Sequence, residues 1–158
     1  DLEEEQYNWC KDRTSLTTDE LKIVVEKWIY NFPNQFLEAC KYDGLDIFLK
    51  ELKNRNILTA IYSDYPAMMK LKAMRIEADL VVSSTQKEIN AFKPVPKGLN
   101  YILSRFPEID NEHCVFIGDR MELDGVCAVR ANIPFLHISK KERKGFYHSI
   151  LENLKNKK

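Results

Sequence analysis

"CVFIGDRMELDG" (residues 114–125) begins with an apolar run, Cys114 to Ile117, and turns sharply at Gly118. Asp119, Glu122 and Asp124 then fall within six positions. The run reads as a buried strand, and the acids stand at its carboxyl end. An open parallel sheet binds its ligands at that end of its strands. The surrounding chain decides whether such a sheet exists.

Upstream, "ILTAIYS" (57–63) and "DLVVSS" (79–84) are short, apolar and rich in β-branched residues, so both read as strands. Downstream, "PFLHIS" (134–139) reads as a fourth. Helical stripes fill the intervals. Leu45, Phe48, Leu49 and Leu52 form one stripe, and Leu99, Ile102, Leu103 and Phe106 another. Pro66 opens a helix over 66–74, a helix covers 124–130, and Phe146, Ile150, Leu151 and Leu154 mark the last. Alternating strands and helices predict an α/β fold with a parallel sheet covered by helices. Continuous apolar strands predict burial on both faces. Ahead of this, Thr17 to Glu20 has capping-box spacing, followed by an apolar stripe of Leu21, Val24, Val25, Trp28 and Ile29. A short helix passes through Phe36 and Leu37, while residues 1–16 give no clear pattern.

The 158 residues suit one domain with a single core. Net charge is zero, which gives no global pull toward nucleic acid or a membrane surface. Residues 140–158 carry seven Lys/Arg against two Glu, which reads as a solvated helix end ahead of a phosphate patch. No apolar run approaches the 18 residues of a membrane span, and no signal peptide is present. Cys10, Cys40, Cys114 and Cys127 have no C-x-x-C spacing and read as core residues of a reducing, cytoplasmic setting. The first residue is Asp rather than Met, which points to a start further upstream.

The strand ends carry the chemistry. Ser63 and Asp64 end the first strand and Asp119 the third, while Lys93 precedes Pro94 after the second. Asp119 and Asp124 are hard oxygen ligands suited to Mg²⁺. A Ser hydroxyl and a Lys ammonium donate to phosphoryl oxygens. The set suits phosphoryl transfer, and no Cys/His arrangement suits zinc. P-loop, Rossmann-fingerprint and nucleophile-elbow motifs are all absent. Taken singly, each residue has a plainer reading. Ser63 and Asp64 serve as helix caps, Lys93 as a surface lysine and Asp119 as a turn residue. Their shared order along one sheet edge favours a site. His113, His137 and His148 lack such company and read as structural.

"IYSDYP", "FKP" and "FIGDRMELDG" resemble motifs II, III and IV of the haloacid dehalogenase (HAD) superfamily of phosphohydrolases, over residues 44–138. The likeness is to members with a helical cap inserted after the first strand. It implies a three-layer, Rossmann-like parallel sheet. Residues 1–40 would be the C-terminal part of the cap and 41–158 the core. It implies that Ser63 and Asp64 bind the substrate phosphoryl group and that Ser63 and Lys93 act in catalysis. Lys93 would hold the nucleophile and phosphate charges, Asp119 would ligate Mg²⁺, and Asp124 would support that metal as a further ligand or through water and Lys93. The implied partner is a small phosphorylated substrate, not nucleic acid or a membrane.

The chain departs from that pattern at one decisive point. The family's first motif, Asp-x-Asp at the end of a central strand, supplies the nucleophile and the acid/base, and no Asp-x-Asp occurs in these residues. The missing strand would lie between the first and third strands named here, leaving two unpaired edges. The expectation is a Mg²⁺-dependent HAD-type phosphatase that is inactive without that strand. The alternative is a non-catalytic relative that binds metal, phosphate or a protein. A receiver-type domain is set aside because its acids come first and its Lys last. Monomer and strand-swapped dimer both remain open. Two smaller departures are Asn90-Ala91 before the Lys-Pro pair and Asn132 where Gly is usual. Asn tolerates the left-handed position a helix end demands.

Overall fold

The computed structural model describes residues 1–139, 141 and 144–156. Much of the basic run at 140–158 lies outside them. Among the described residues four strands are formed: β1 (Ala60–Ser63), β2 (Leu80–Ser83), β3 (Phe116–Gly118) and β4 (Phe135–His137). Eight α-helices accompany them: α1 (Leu2–Lys11), α2 (Thr18–Val25), α3 (Asn34–Leu37), α4 (Leu45–Asn54), α5 (Met68–Ala73), α6 (Lys97–Ser104), α7 (Val126–Arg130) and α8 (Phe146–Asn156). From α4 onward strand and helix alternate, and every strand pairing is parallel.

The strands form two pairs rather than one sheet. β1 runs beside β2 with Ser63 opposite Ser83, and β3 beside β4 with Gly118 opposite His137. Among the described residues no ladder joins β1 to β3. One core nevertheless spans both pairs. Tyr62, Val82, Ile89 and Leu99 pack with Cys127, Ala131 and Ile133, and the rings of Tyr62 and Phe116 stand 6.5 Å apart. A sheet open at its centre is the arrangement expected when a strand is missing between β1 and β3. The apolar runs are less buried than a closed sheet would make them. Leu58, Val115 and Leu136 are exposed, where burial on both faces was expected.

Local chemistry accounts for the element boundaries. The Thr17 hydroxyl accepts from the Glu20 N–H and Glu20 reaches back to the Thr17 N–H, so the capping box forms and Leu21 is buried. α2 continues through a wide π-helical segment, Glu26–Asn31. Asn132 sits at φ 54°, the left-handed conformation that lets the chain leave α7 and enter β4. α1 falls within residues 1–16, which show no periodic pattern. Asp1 caps it by accepting from Glu3 and Glu4, three acids follow in its first turn, and Tyr7 is its buried residue. It is therefore set by its N-terminus rather than by an apolar stripe.

Of the cysteines, Cys127 is buried and Cys40 exposed. Burial pushes the Cys127 thiol up to about 11. The thiolate is the reactive form. A thiol reagent at pH 8 is therefore expected to modify Cys40 in the native protein and Cys127 only after denaturation, as peptide mass mapping would read. Native labelling of Cys127 would contradict the packing of α7 on the core. No helix among the described residues is long and apolar enough to cross a membrane.

Candidate active site

Ser63 and Asp64 close β1, Lys93 lies on the connection after β2, and Asp119 and Asp124 follow β3. The structure brings Asp64, Lys93 and Asp124 into one cluster. Lys93 Nζ lies 2.8 Å from Asp124 Oδ1 and 3.9 Å from Asp64 Oδ2. Its side chain is 7% exposed, and Asp124's is 6%. This lysine is therefore a buried cation, not a surface one. The ammonium also faces the Tyr62 ring, 5.1 Å from its centroid. Burial raises the Tyr62 phenol, so that ring stays protonated and neutral.

Asp64 is a hub. It accepts from Ser84 Oγ at 3.1 Å, from the Lys93 backbone N–H at 3.4 Å and from Arg120 Nη2 at 2.9 Å. Arg120 reaches it from the other strand pair, so the ion pair bridges the open centre of the sheet. Its main chain also serves the site, because the Arg120 N–H donates to Asp124 Oδ2 at 3.1 Å. Asp124 folds back under the end of β3. A Cβ on Gly118 would lie 2.6 Å from Asp124 Cβ and 2.7 Å from its Oδ2, so only Gly fits at that strand end. Asp124 Oδ1 is buried without a well-angled hydrogen bond and is held by charge alone.

Ser63 Oγ accepts from the Tyr65 N–H at 3.3 Å, which leaves its own proton to donate outward. Asp119 is exposed, and its backbone oxygen is 3.1 Å from His137 Nε2. That contact gives His137 a structural partner at the end of β4. The arrangement offers one exposed carboxylate and one buried carboxylate oxygen bound only by an ammonium. Carboxylate oxygens of this kind, together with water and phosphate, are the ligands that Mg²⁺ takes. The three-residue cluster Asp110, Glu112 and His113 is exposed and lies before β3, away from the carboxyl ends of the strands.

Three contributors escaped the sequence reading: Arg120, Ser84 and Tyr62. The first lies inside the quoted motif and the second ends a strand, so position marked both. Nothing in the sequence distinguished Tyr62 from a packing residue.

A family model described as haloacid dehalogenase-like hydrolase matches residues 4–138. A HAD-superfamily hydrolase of subfamily IA, variant 1, from Geobacter sulfurreducens is similar over 61% of this chain and 49% of its own, at 25% identity and a TM-score of 0.55. A HAD-superfamily hydrolase from Ehrlichia chaffeensis is similar over 70% of this chain and 58% of its own, at 22% identity and a TM-score of 0.51. This chain thus spans about half the length of those solved structures. No curated protein matches it significantly. With the family model covering most of the chain, and with its motifs at the carboxyl ends of parallel strands, the chain belongs to the haloacid dehalogenase-like hydrolases.

Proposed function

We propose that this chain carries the phosphate and metal side of a Mg²⁺-dependent phosphohydrolase acting on a small phosphorylated metabolite. One observation supports this most: the carboxyl ends of β1 and β3, on either side of the sheet's open centre, bear Ser63 and Asp119, with Lys93 and Asp124 paired beside them. A strand seated between β1 and β3 would bring its carboxyl end to the same place. In this reading residues 1–40 are the C-terminal part of a helical cap and 41–158 the core.

Each group has a definable task. The Ser63 hydroxyl donates to a phosphoryl oxygen. Lys93 neutralises phosphoryl and nucleophile charge from a water-poor position, where such an interaction is strongest. Asp119 and Asp124 would hold Mg²⁺, which supplies further charge neutralisation during transfer. Asp64, already carrying Arg120, Ser84 and the Lys93 N–H, keeps the Lys93 loop in position beside the phosphate. An inserted strand ending in Asp-x-Asp would supply the carboxylate that attacks phosphorus, its second Asp protonating the departing alkoxide oxygen. Water, giving its proton back to that second Asp, would then attack phosphorus, release orthophosphate and restore the carboxylate.

Asp119→Asn tests the metal side directly. Mg²⁺ affinity by titration calorimetry is expected to fall by about tenfold or more, since one of two anionic ligands becomes neutral. Fold stability is expected to change by less than about 0.5 kcal/mol because the side chain is exposed. Unchanged Mg²⁺ affinity would remove Asp119 from the site. The missing Asp-x-Asp favours a second reading, a binding module without turnover. That reading differs in one respect: adding the strand would then leave the protein inactive.

A further inference from the structure

A cavity of about 500 Å³ lies between the N-terminal helices and the two loops that carry the phosphate-binding groups. Its walls include Tyr7, Ile29, Tyr30, Tyr65 and Phe92. Two of these are chain neighbours of the site. Tyr65 follows Ser63 by two positions, and its N–H donates to the Ser63 hydroxyl at 3.3 Å. Phe92 directly precedes Lys93. Their rings stand 5.6 Å apart, forming a continuous aromatic wall. The opposite wall is docked onto the same loops by two hydrogen bonds. Gln6 Nε2 donates to Tyr65 Oη at 3.2 Å, and the Leu2 N–H donates to Asn90 Oδ1 at 3.0 Å.

The rim is acidic, with Glu3 and Glu5 bordering the opening. Burial raises the Tyr30 phenol, and Glu3, Tyr7, Tyr65 and Glu26 raise it further. Burial likewise raises Tyr7, helped by Glu3 and Glu26. Both phenols therefore face a partly dry and negative surround, and both stay neutral.

From this geometry we infer that the cavity holds the organic part of the substrate, and that this part is aromatic or apolar and carries no second anionic group. The inference rests on the phosphohydrolase reading above. The volume is that of a small-molecule site, typically about 300–1,000 Å³. Aromatic walls favour a flat or apolar body through burial and ring stacking. The acidic rim repels a second phosphate or a carboxylate and tolerates a neutral or cationic group. Tyr65 and Phe92 stand two and one positions from Ser63 and Lys93, so the aromatic wall starts from the loops that carry the phosphate-binding groups.

The test is binding of three probes in Mg²⁺ by titration calorimetry: orthophosphate, phenyl phosphate and 4-carboxyphenyl phosphate. Phenyl phosphate is expected to bind at least about tenfold more tightly than orthophosphate. The carboxylated probe is expected to lose most of that gain. Ile29→Ser and Tyr65→Ala are expected to bring phenyl phosphate to within about twofold of orthophosphate while leaving orthophosphate itself unchanged. Ile29 is already 55% exposed, so its substitution tests the cavity without threatening the fold. Equal affinity for orthophosphate and phenyl phosphate would overturn the inference and leave the phosphate site standing. So would a phenyl preference that survives both substitutions. Failure of all three probes to bind would overturn the phosphate-site reading, and this inference with it.

Discussion

Lys93→Met is expected to destabilise the protein by about 3–5 kcal/mol in urea unfolding and to abolish phosphate binding. The magnitude follows from what the substitution leaves behind. The Lys93 ammonium is 2.8 Å from Asp124 Oδ1 and 3.9 Å from Asp64 Oδ2, and all three side chains are mostly buried, at 7%, 6% and 14% exposure. Removing one member of a buried pair strands the other charge, which costs about 3–5 kcal/mol. Asp64 keeps Arg120 and Ser84, so its loss is partial. Among the described residues Asp124 keeps the Arg120 N–H and loses the one partner of its Oδ1. A double-mutant cycle with Asp124→Asn separates this from a simple packing loss. The double variant should be more stable than the sum of the two single effects predicts, by about 1 kcal/mol or more. Strict additivity would show that the two groups do not interact.

Gly98→Ala is expected to destabilise by about 2–3 kcal/mol, the cost of overpacking a well-filled core. The sign is informative because helix propensity alone favours Ala over Gly by about 1 kcal/mol. Gly98 lies in α6, where that helix crosses β1. A Cβ there would stand 2.3 Å from Tyr62 Cζ and 2.5 Å from its Cε2 and Oη. The ring has no easy retreat. Tyr62 is 9% exposed, its Oη is 3.1 Å from Ser84 Oγ, and Lys93 sits over its face. Displacing Tyr62 also disturbs Ser84, which supports Asp64, so phosphate affinity should fall with stability. A stabilised variant would show that α6 does not rest on Tyr62.

Much of this was legible in the residues. The apolar runs at 57–63, 79–84, 114–119 and 134–139 each contain one strand, though the strands are shorter than the runs. Apolar content extends past the point where a ladder partner exists, so Leu58 and Val115 fall outside. The absence of Asp-x-Asp led to the expectation of an open centre, and among the described residues the strands form two separate parallel pairs. Order along the chain pointed to Ser63, Lys93, Asp119 and Asp124, and the structure pairs Lys93 with Asp124. The Asp64–Arg120 bridge was not, because a contact across 56 residues leaves no local pattern. α1 was missed because its helix signal lies in Asp1 and the three glutamates after it rather than in periodic burial. The cavity was beyond reach for the same reason: α1 supplies one of its walls.

We propose that the open centre of the sheet is a strand position facing the phosphate-binding groups. The most direct test is Mg²⁺-dependent hydrolysis of phenyl phosphate by these 158 residues, alone and with a synthetic apolar strand ending in Asp-x-Asp added. No turnover is expected from the 158 residues alone. Turnover is expected when the strand is added, and none when that strand's first Asp is replaced by Asn. Sustained turnover by the 158 residues alone, lost in Lys93→Met, would contradict the proposal, because the nucleophile would then already lie within the chain.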